Sequence, residues 1–96
     1  MISFIRSLAE DVRILAEGEG QPLQRYAVML QLRVDGRWQT IQLLDNAHDR
    51  HDLHRYTGSQ KQVAEHFMDG PARAVMPQAI AYLASNWEQI ARSWED

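Results

Sequence analysis

Residues 26–44 read YAVMLQLRVDGRWQTIQLL, and they predict the hairpin around which the rest of the fold is built. Apolar and polar side chains alternate on both sides of Asp35-Gly36, as in β-strands that bury one face. Asp-Gly is a favoured two-residue hairpin turn because both of its positions adopt positive φ. Such a turn places Val34 opposite Arg37 and fixes the register of the whole hairpin. The predicted buried face then contains Val28, Leu30, Leu32, Val34, Ile41 and Leu43.

The same register makes two further predictions. Arg33 lies opposite Trp38 on the other face, where the two side chains form either a cation–π pair or part of a base-stacking platform. We favour the pair, because a platform usually has more than one aromatic side chain. At the far end of the hairpin, Asp45 lies opposite Tyr26 on the buried-facing side.

A long amphipathic helix is predicted at the C-terminal end. Its apolar residues recur at intervals of four and three and so share one helix face: Met76, Ile80, Leu83, Trp87, Ile90 and Trp94. We expect the helix to begin around residues 73–75 and to end near Ser93, with Pro77 in the first turn, where backbone N–H groups have no intrahelical partner. The apolar stripe packs on the buried face of the hairpin.

The flanking segments complete the fold prediction. Residues 3–9 are expected to form a short helical turn, followed by a strand near residues 11–17 and a break at residues 18–22. A second hairpin is expected to consist of a strand over 53–57, a turn at 58–60 and a strand over 61–67. The sequence thus predicts one α+β domain over residues 1–96. It consists of an antiparallel β-meander of about four to five strands packed against one long C-terminal helix.

Composition excludes several classes of protein. The chain has no cysteine, which rules out disulfides, thiolate metal sites and a cysteine nucleophile. We see no signal peptide and no apolar run of the ~20 residues that a membrane helix needs, so we expect a soluble, cytoplasmic protein with no membrane partner. The net charge of −3 counts against a general nucleic-acid binder, although arginines in the middle of the chain could form a locally basic face.

Candidate chemistry is concentrated between Asp45 and Tyr56. Three histidines, His48, His51 and His54, fall within this segment among aspartates and arginines. Histidine near neutral pKa, carboxylates that orient it and arginine that holds an anion are the groups used for acid–base catalysis. In metal-independent RNA cleavage they would supply a base for the 2′-OH, an acid for the leaving oxygen and cations for the phosphorane charge.

We therefore assign provisional roles to these residues. His48, His51 and His54 act as general acid and base, and Asp45 orients a histidine. Arg50 and Arg55 hold phosphate, with Tyr56 as a weak acid beside them. On a strand over 53–57, Asp52, His54 and Tyr56 share one face, while Leu53 and Arg55 share the other. The alternative is that the segment is only a polar, solvated loop.

A metal site is a separate possibility. The three histidines, with Asp45 or Asp49, could in principle surround an ion. Their spacing matches no standard zinc pattern, however, and spacing within a loop does not establish convergence. We expect no metal and no other cofactor.

Residues 45–56, DNAHDRHDLHRY, resemble the signature of a family of small uncharacterised bacterial proteins, and the resemblance extends over roughly residues 12–94. The shorter Asp-Asn…His…His element is similar to the motif of TumE-type toxins of toxin–antitoxin pairs. Those are small proteins thought to act on RNA beside a helix-turn-helix antitoxin. This chain departs from their pattern in having Leu43-Leu44 where the toxins typically place Arg-Tyr.

The resemblance implies a toxin–antitoxin-type component that acts on RNA through the Asp45–Tyr56 segment. It adds Asn46 to the expected ligand-binding residues and an antitoxin-like protein or a second copy of the chain as the expected partner. The rival hypothesis is a non-catalytic interaction module that forms a homodimer or binds a protein partner, with a solvated histidine-rich loop.

Overall fold

A computed structural model describes residues 1–95 as seven β-strands followed by one α-helix. The elements are β1 (Ile2–Ala9), β2 (Val12–Glu19), β3 (Arg25–Val34), β4 (Arg37–Asp45), β5 (His51–Thr57), β6 (Gln60–Lys61), β7 (Glu65–Met68) and α1 (Ala72–Glu95). The strands form an antiparallel sheet in the order β1-β2-β3-β4-β5-β6, and β7 also pairs with β5. The predicted α+β class, with a meander and one C-terminal helix, is confirmed.

The central hairpin is confirmed near its turn and changes register beyond it. Asp35 and Gly36 both have positive φ, 52° and 77°, and Arg33 lies opposite Trp38. A β-bulge then inserts one extra residue into β4, between the Gln31–Thr40 pair and the Leu30–Gln42 pair. The two-residue turn fixes the register only as far as this bulge.

The bulge makes part of the predicted face wrong. Leu30 lies opposite Gln42 rather than Ile41, and Val28 lies opposite Leu44 rather than Leu43. A one-residue shift turns every following side chain to the other face of the sheet, since the side-chain period is two. Gln42 and Leu44 therefore lie on the helix-covered face, which is the face that packs against α1.

The N-terminal segment is a strand rather than the predicted helical turn. β1 pairs with β2 from Ile2 opposite Gly18 to Ala9 opposite Val12. The spacing of apolar residues in this segment suits both structures, and pairing with the otherwise unsatisfied edge of β2 decides between them. β2 itself confirms the strand expected near residues 11–17.

The second hairpin is present, but its return strand is split. After β5 the chain turns at Gly58 and forms the two-residue β6. It then pairs with β5 a second time as β7. The predicted continuous strand over 61–67 is therefore wrong between residues 62 and 64. This split and the extra strand β1 bring the number of strands in residues 1–95 above the four to five expected.

Helix α1 confirms the predicted stripe and is longer than predicted. Its buried residues Val75, Met76, Ala79 and Leu83 pack against the sheet, and Ile80, Trp87, Ile90 and Trp94 pack more loosely at the margin. Because the helix begins at Ala72, Pro77 lies in the second turn instead of the first. No helix in residues 1–95 has the length and apolar character needed to cross a membrane.

Candidate functional site

The β4 bulge brings Asp45 to the face opposite the helix. Asp45 lies opposite Ala27 rather than Tyr26, so its predicted position on the buried-facing side is wrong. On the other flank of β4, Asp45 lies opposite Asp52 of β5. Alternation along β5 places His54 on the same face as Asp52, as the sequence predicted.

Asp45, Asp52 and His54 form the Asp–Asp–His centre. One ligand-type atom from each of the three lies within 4.8 Å of the others. The exposed fractions of the side chains are 13% for Asp45, 3% for Asp52 and 10% for His54. Water therefore has little access to these groups.

Two carboxylate oxygens of the centre lack hydrogen-bond partners. Oδ1 of Asp45 and Oδ1 of Asp52 are both buried and unpartnered within the described chain. Burying charged oxygens without partners costs several kcal/mol each, roughly, unless a proton or a cation compensates. A positive group between the two aspartates would therefore lower the free energy of the folded site.

His54 faces acceptors through both ring nitrogens. Nδ1 lies 3.2 Å from the carbonyl oxygen of Gln62, and Nε2 lies 3.9 Å from Oδ1 of Asp45. The second distance is that of an ion pair rather than a hydrogen bond. Asp45 is thus the aspartate that lies beside His54, and its role in orienting a histidine stays a prediction.

Arg50 and Tyr56 lie at the rim of the centre. Nη2 of Arg50 is 3.6 Å from Oδ1 of Asp52, and its side chain is largely exposed and so accessible to an anion. Burial and, secondly, the Asp45 carboxylate raise the pKa of Tyr56 above its ordinary value. Tyr56 therefore keeps its proton at neutral pH and remains a hydrogen-bond donor.

His51 has a structural environment on the helix-covered side. Its Nδ1 is 2.8 Å from the hydroxyl of Tyr26, and its Nε2 is 2.6 Å from the carbonyl oxygen of Gly70. A neutral ring that accepts from Tyr26 and donates to Gly70 satisfies both nitrogens. The ring also stacks on Tyr26, with 5.6 Å between centroids.

The structure does not bring the three histidines together. His51 bonds to Tyr26, His54 belongs to the Asp–Asp–His centre on the opposite face, and His48 is exposed in the turn between β4 and β5. The metal site considered for these three histidines with Asp49 does not form either, since Asp49 pairs with Arg25 at 2.7 Å.

Asn46 and Arg55 are engaged elsewhere. The Asn46 amide accepts from the backbone N–H of Tyr26 and donates to the carbonyl of Gln24, which holds the end of β4 against the start of β3. Arg55 lies opposite Gln42, away from the Asp–Asp–His centre, and forms a 2.7 Å ion pair with Glu65. Neither side chain has the position expected of a phosphate ligand.

Arg33 and Trp38 form the expected cation–π pair, with the guanidinium carbon 5.2 Å from the ring centroid. Arg13 of β2, which the sequence did not single out, lies closer to the same ring at 4.1 Å. These side chains share the sheet face of Asp45, because they lie at alternate positions of the paired strands. That face therefore combines a cationic end with the acidic centre.

Asp52 is the residue that sequence reasoning failed to place in the site. Its position on the face of His54 was predicted, but Asp45 was expected on the buried-facing side opposite Tyr26, and no pairing of Asp45 with Asp52 was predicted. The signal that points to a bulge is the pair Ile41 and Leu44, because two core residues three positions apart cannot lie on one face of a regular strand.

These features define a small α+β protein with a polar centre on the sheet face opposite its only described helix. The chain belongs to the DUF7718 family, a domain of unknown function whose match covers residues 2–96. The expected membership of an uncharacterised family is thereby confirmed. No curated protein and no solved structure matches the chain.

Proposed function

We propose that this protein acts on RNA as a bacterial, cytoplasmic toxin–antitoxin-type component and that the Asp–Asp–His centre holds a divalent cation that takes part in the reaction. One observation carries the proposal: Asp45, Asp52 and His54 converge from two neighbouring strands, and two buried carboxylate oxygens have no hydrogen bond within the described chain. The similarity of the Asp-Asn…His…His element to TumE-type toxins favours RNA as the substrate.

The donor set suits a divalent cation. Two carboxylate oxygens and one imidazole nitrogen are ligands that Mn²⁺, Fe²⁺ and Zn²⁺ accept together. The ligand atoms are within 4.8 Å of one another, so small side-chain movements bring them to bonding distance of one ion. The ion would also neutralise the two carboxylates.

The surroundings of the centre fit a phosphodiester substrate. Arg50 at the rim can contact a phosphate oxygen. On the same sheet face, Arg13 and Arg33 stand near the opposite end of β3, on the order of 20 Å from Asp45 at the usual strand rise. A short single strand laid along β3 would place its backbone near these arginines and one phosphate at the ion.

The reaction is a transesterification within RNA. A divalent ion held by Asp45, Asp52 and His54 would supply a base for the ribose 2′-OH and would neutralise charge on the phosphate. The 2′ oxygen would attack the adjacent phosphorus, the bond from phosphorus to the 5′ oxygen would break, and the proton lost by the 2′-OH would end on the 5′ oxygen. The products are a 2′,3′-cyclic phosphate and a 5′-OH, with no other reactant.

Cleavage of a single-stranded RNA oligonucleotide tests the proposal. We expect cleavage with Mn²⁺ or Zn²⁺, its loss in EDTA, and a fall of about 100-fold or more in Asp52→Asn and His54→Ala. The matched control is His48→Ala, since His48 is an exposed histidine in the turn between β4 and β5. Growth inhibition on expression should follow the same order.

The outcomes separate the mechanisms. If cleavage continues in EDTA but is lost in His54→Ala, the mechanism is metal-free acid–base chemistry at the same residues. Cleavage unchanged in folded His54→Ala, or none with any cation, would overturn the proposal.

A homodimeric interaction module is the second candidate, and strand β1 favours it. β1 forms one edge of the sheet and exposes Ile2, Phe4 and Ile5. A long apolar edge is a template for pairing with another strand, here β1 of a second copy. Light scattering that shows a dimer, and a monomer in Ile5→Lys, would support this candidate, and a monomeric parent would exclude it.

A further inference from the structure

A pocket lies mainly on the other side of the sheet from the Asp–Asp–His centre. It has a volume of about 470 Å³ and lies between the C-terminal half of α1 and strands β4 and β5. Its wall includes Gln42, Tyr82, Asn86, Ile90 and Trp94. The volume is within the usual range for small-molecule sites, roughly 300–1,000 Å³.

Gln42 is an unsatisfied polar group in this pocket wall. The β4 bulge turns its side chain to the helix-covered face, where only 1% of the residue is exposed. Its Oε1 has no hydrogen-bond partner among the described residues. Leaving a buried acceptor unpaired costs about 1–3 kcal/mol, so a leucine here would be the more stable choice for packing alone. A ligand with an N–H donor explains a glutamine at this position.

The charge of the pocket selects a neutral ligand. Its cation, Arg55, and its anion, Glu65, form an ion pair at 2.7 Å. The other polar wall residues include the amides of Gln42, Gln62, Asn86 and Gln89. Amides recognise molecules in which N–H and C=O groups alternate along an edge.

Aromatic side chains give the pocket flat walls. Trp94 is fixed by a 3.0 Å hydrogen bond from its Nε1 to the carbonyl of Gly58, and it lines the pocket together with Tyr82 of the same helix. Tyr82 is held in turn by an edge contact with Phe67, with ring centroids 5.6 Å apart. Fixed aromatic rings favour planar ligands that stack or pack edge-on.

We propose that this pocket binds an uncharged nucleobase or nucleoside through a hydrogen bond from a ring N–H to Oε1 of Gln42. The site does not require the proposed function, because it shares none of Asp45, Asp52 and His54, although Tyr56 and Gln62 lie next to both sites.

Two-dimensional ¹H–¹⁵N NMR of the full chain tests the proposal with uracil, hypoxanthine, adenine and uridine as probes. At least one probe should give saturable shifts of the Gln42 side-chain amide and the Trp94 indole N–H signals. Gln42→Leu should weaken binding by about tenfold or more, since it removes the acceptor. Gln39→Leu, the same change on the same strand outside this pocket, should bind as the parent does.

If Gln42 only supports the fold, Gln42→Leu weakens binding by disturbing the fold, and a change elsewhere in the pocket wall leaves binding unaffected. Asn86→Ala is a second variant on the helix side of the pocket, and it should also weaken binding while the fold is kept. A pocket that holds only water would show no saturable shifts with any probe, and this would overturn the proposal. Binding that is equal in parent and Gln42→Leu, or in parent and Asn86→Ala, would overturn it as well.

Discussion

Asp45 and Asp52 show how the surroundings of single residues create chemistry. Either carboxylate alone at a strand end would be an ordinary hydrated group. Placed opposite each other on neighbouring strands and buried beside His54, the two repel and lack partners for Oδ1. A site of this kind is less stable than a neutral one and binds cations for the same reason.

Asp52→Asn should stabilise the protein when EDTA removes divalent cations. The amide has nearly the shape of the carboxylate, removes one buried charge and can donate to Asp45. We expect the free energy of unfolding to rise by about 1–2 kcal/mol in urea denaturation. Added Mn²⁺ or Zn²⁺ should then stabilise the parent and not the variant.

Asp69→Asn is the matched control for this measurement, because Asp69 is almost fully exposed. Its free energy of unfolding should change by less than about 0.5 kcal/mol. A marked loss of stability in Asp52→Asn under EDTA would show instead that the fold depends on the charged carboxylate.

Tyr26 gives a prediction about alkaline pH. Burial first, then the charges of Asp45 and Asp52, raise the pKa of its phenol from 10.0 to about 12. The folded state therefore holds this proton more tightly than the unfolded state does. The resulting stability is fully present below about pH 10 and is lost as the pH rises toward 12.

Ultraviolet titration of tyrosinate checks this expectation. The last ionisation step of the folded parent should lie near pH 12 and should disappear in Tyr26→Phe. The difference in unfolding free energy between parent and variant should shrink by on the order of 1–2 kcal/mol above pH 10. A Tyr26 that titrates at its ordinary pKa would contradict the buried position beside His51.

At the scale of elements, β4 and α1 each contain one irregularity. The bulge in β4 turns Asp45 toward Asp52 and Gln42 toward α1, so one inserted residue supplies both candidate sites. Bulges often occur beside functional sites because they re-aim side chains. Pro77 in the second turn of α1 removes one backbone hydrogen bond, the one that would run to the carbonyl of Arg73.

Pro77→Ala should stabilise α1, because it restores that hydrogen bond and the residue is exposed. We expect the free energy of unfolding to rise by about 1–3 kcal/mol, measured by urea denaturation followed by circular dichroism. Gln78→Ala, at the next exposed position, separates this effect from a general gain in helix propensity and should change stability by less than about 0.5 kcal/mol. Equal results for the two variants would show that the proline does not strain the helix.

At the scale of the whole molecule, one helix covers one face of the sheet and makes the core. Leu83 is fully buried at the centre of this layer, together with Val28, Leu30 and Ala79. The opposite face has no helix within residues 1–95, which leaves it for the Asp–Asp–His centre and the arginines. Stability and proposed chemistry therefore reside on different faces.

Leu83→Ala should lower the stability of the entire domain. Removing a fully buried leucine leaves a cavity between helix and sheet, and we expect a loss of about 2–5 kcal/mol. Val63→Ala removes methyl groups from an exposed position and should change stability by less than about 0.5 kcal/mol. Near- and far-ultraviolet circular dichroism should report a single transition for both variants, and a helix that melts before the sheet in Leu83→Ala would contradict a shared core.

Local features of this protein could be derived from its residues alone: the Asp35-Gly36 hairpin, the apolar stripe of α1, the α+β class and the shared face of Asp52 and His54. These follow from periodicity and turn chemistry, which act between residues close in the chain. Three other features depend on contacts between distant segments: β1 is a strand, Asp45 meets Asp52, and His51 is held by Tyr26 and Gly70. They could not be predicted because they depend on the register between strands. One bulged residue reverses which face each later side chain occupies, and packing between distant segments selects the bulge.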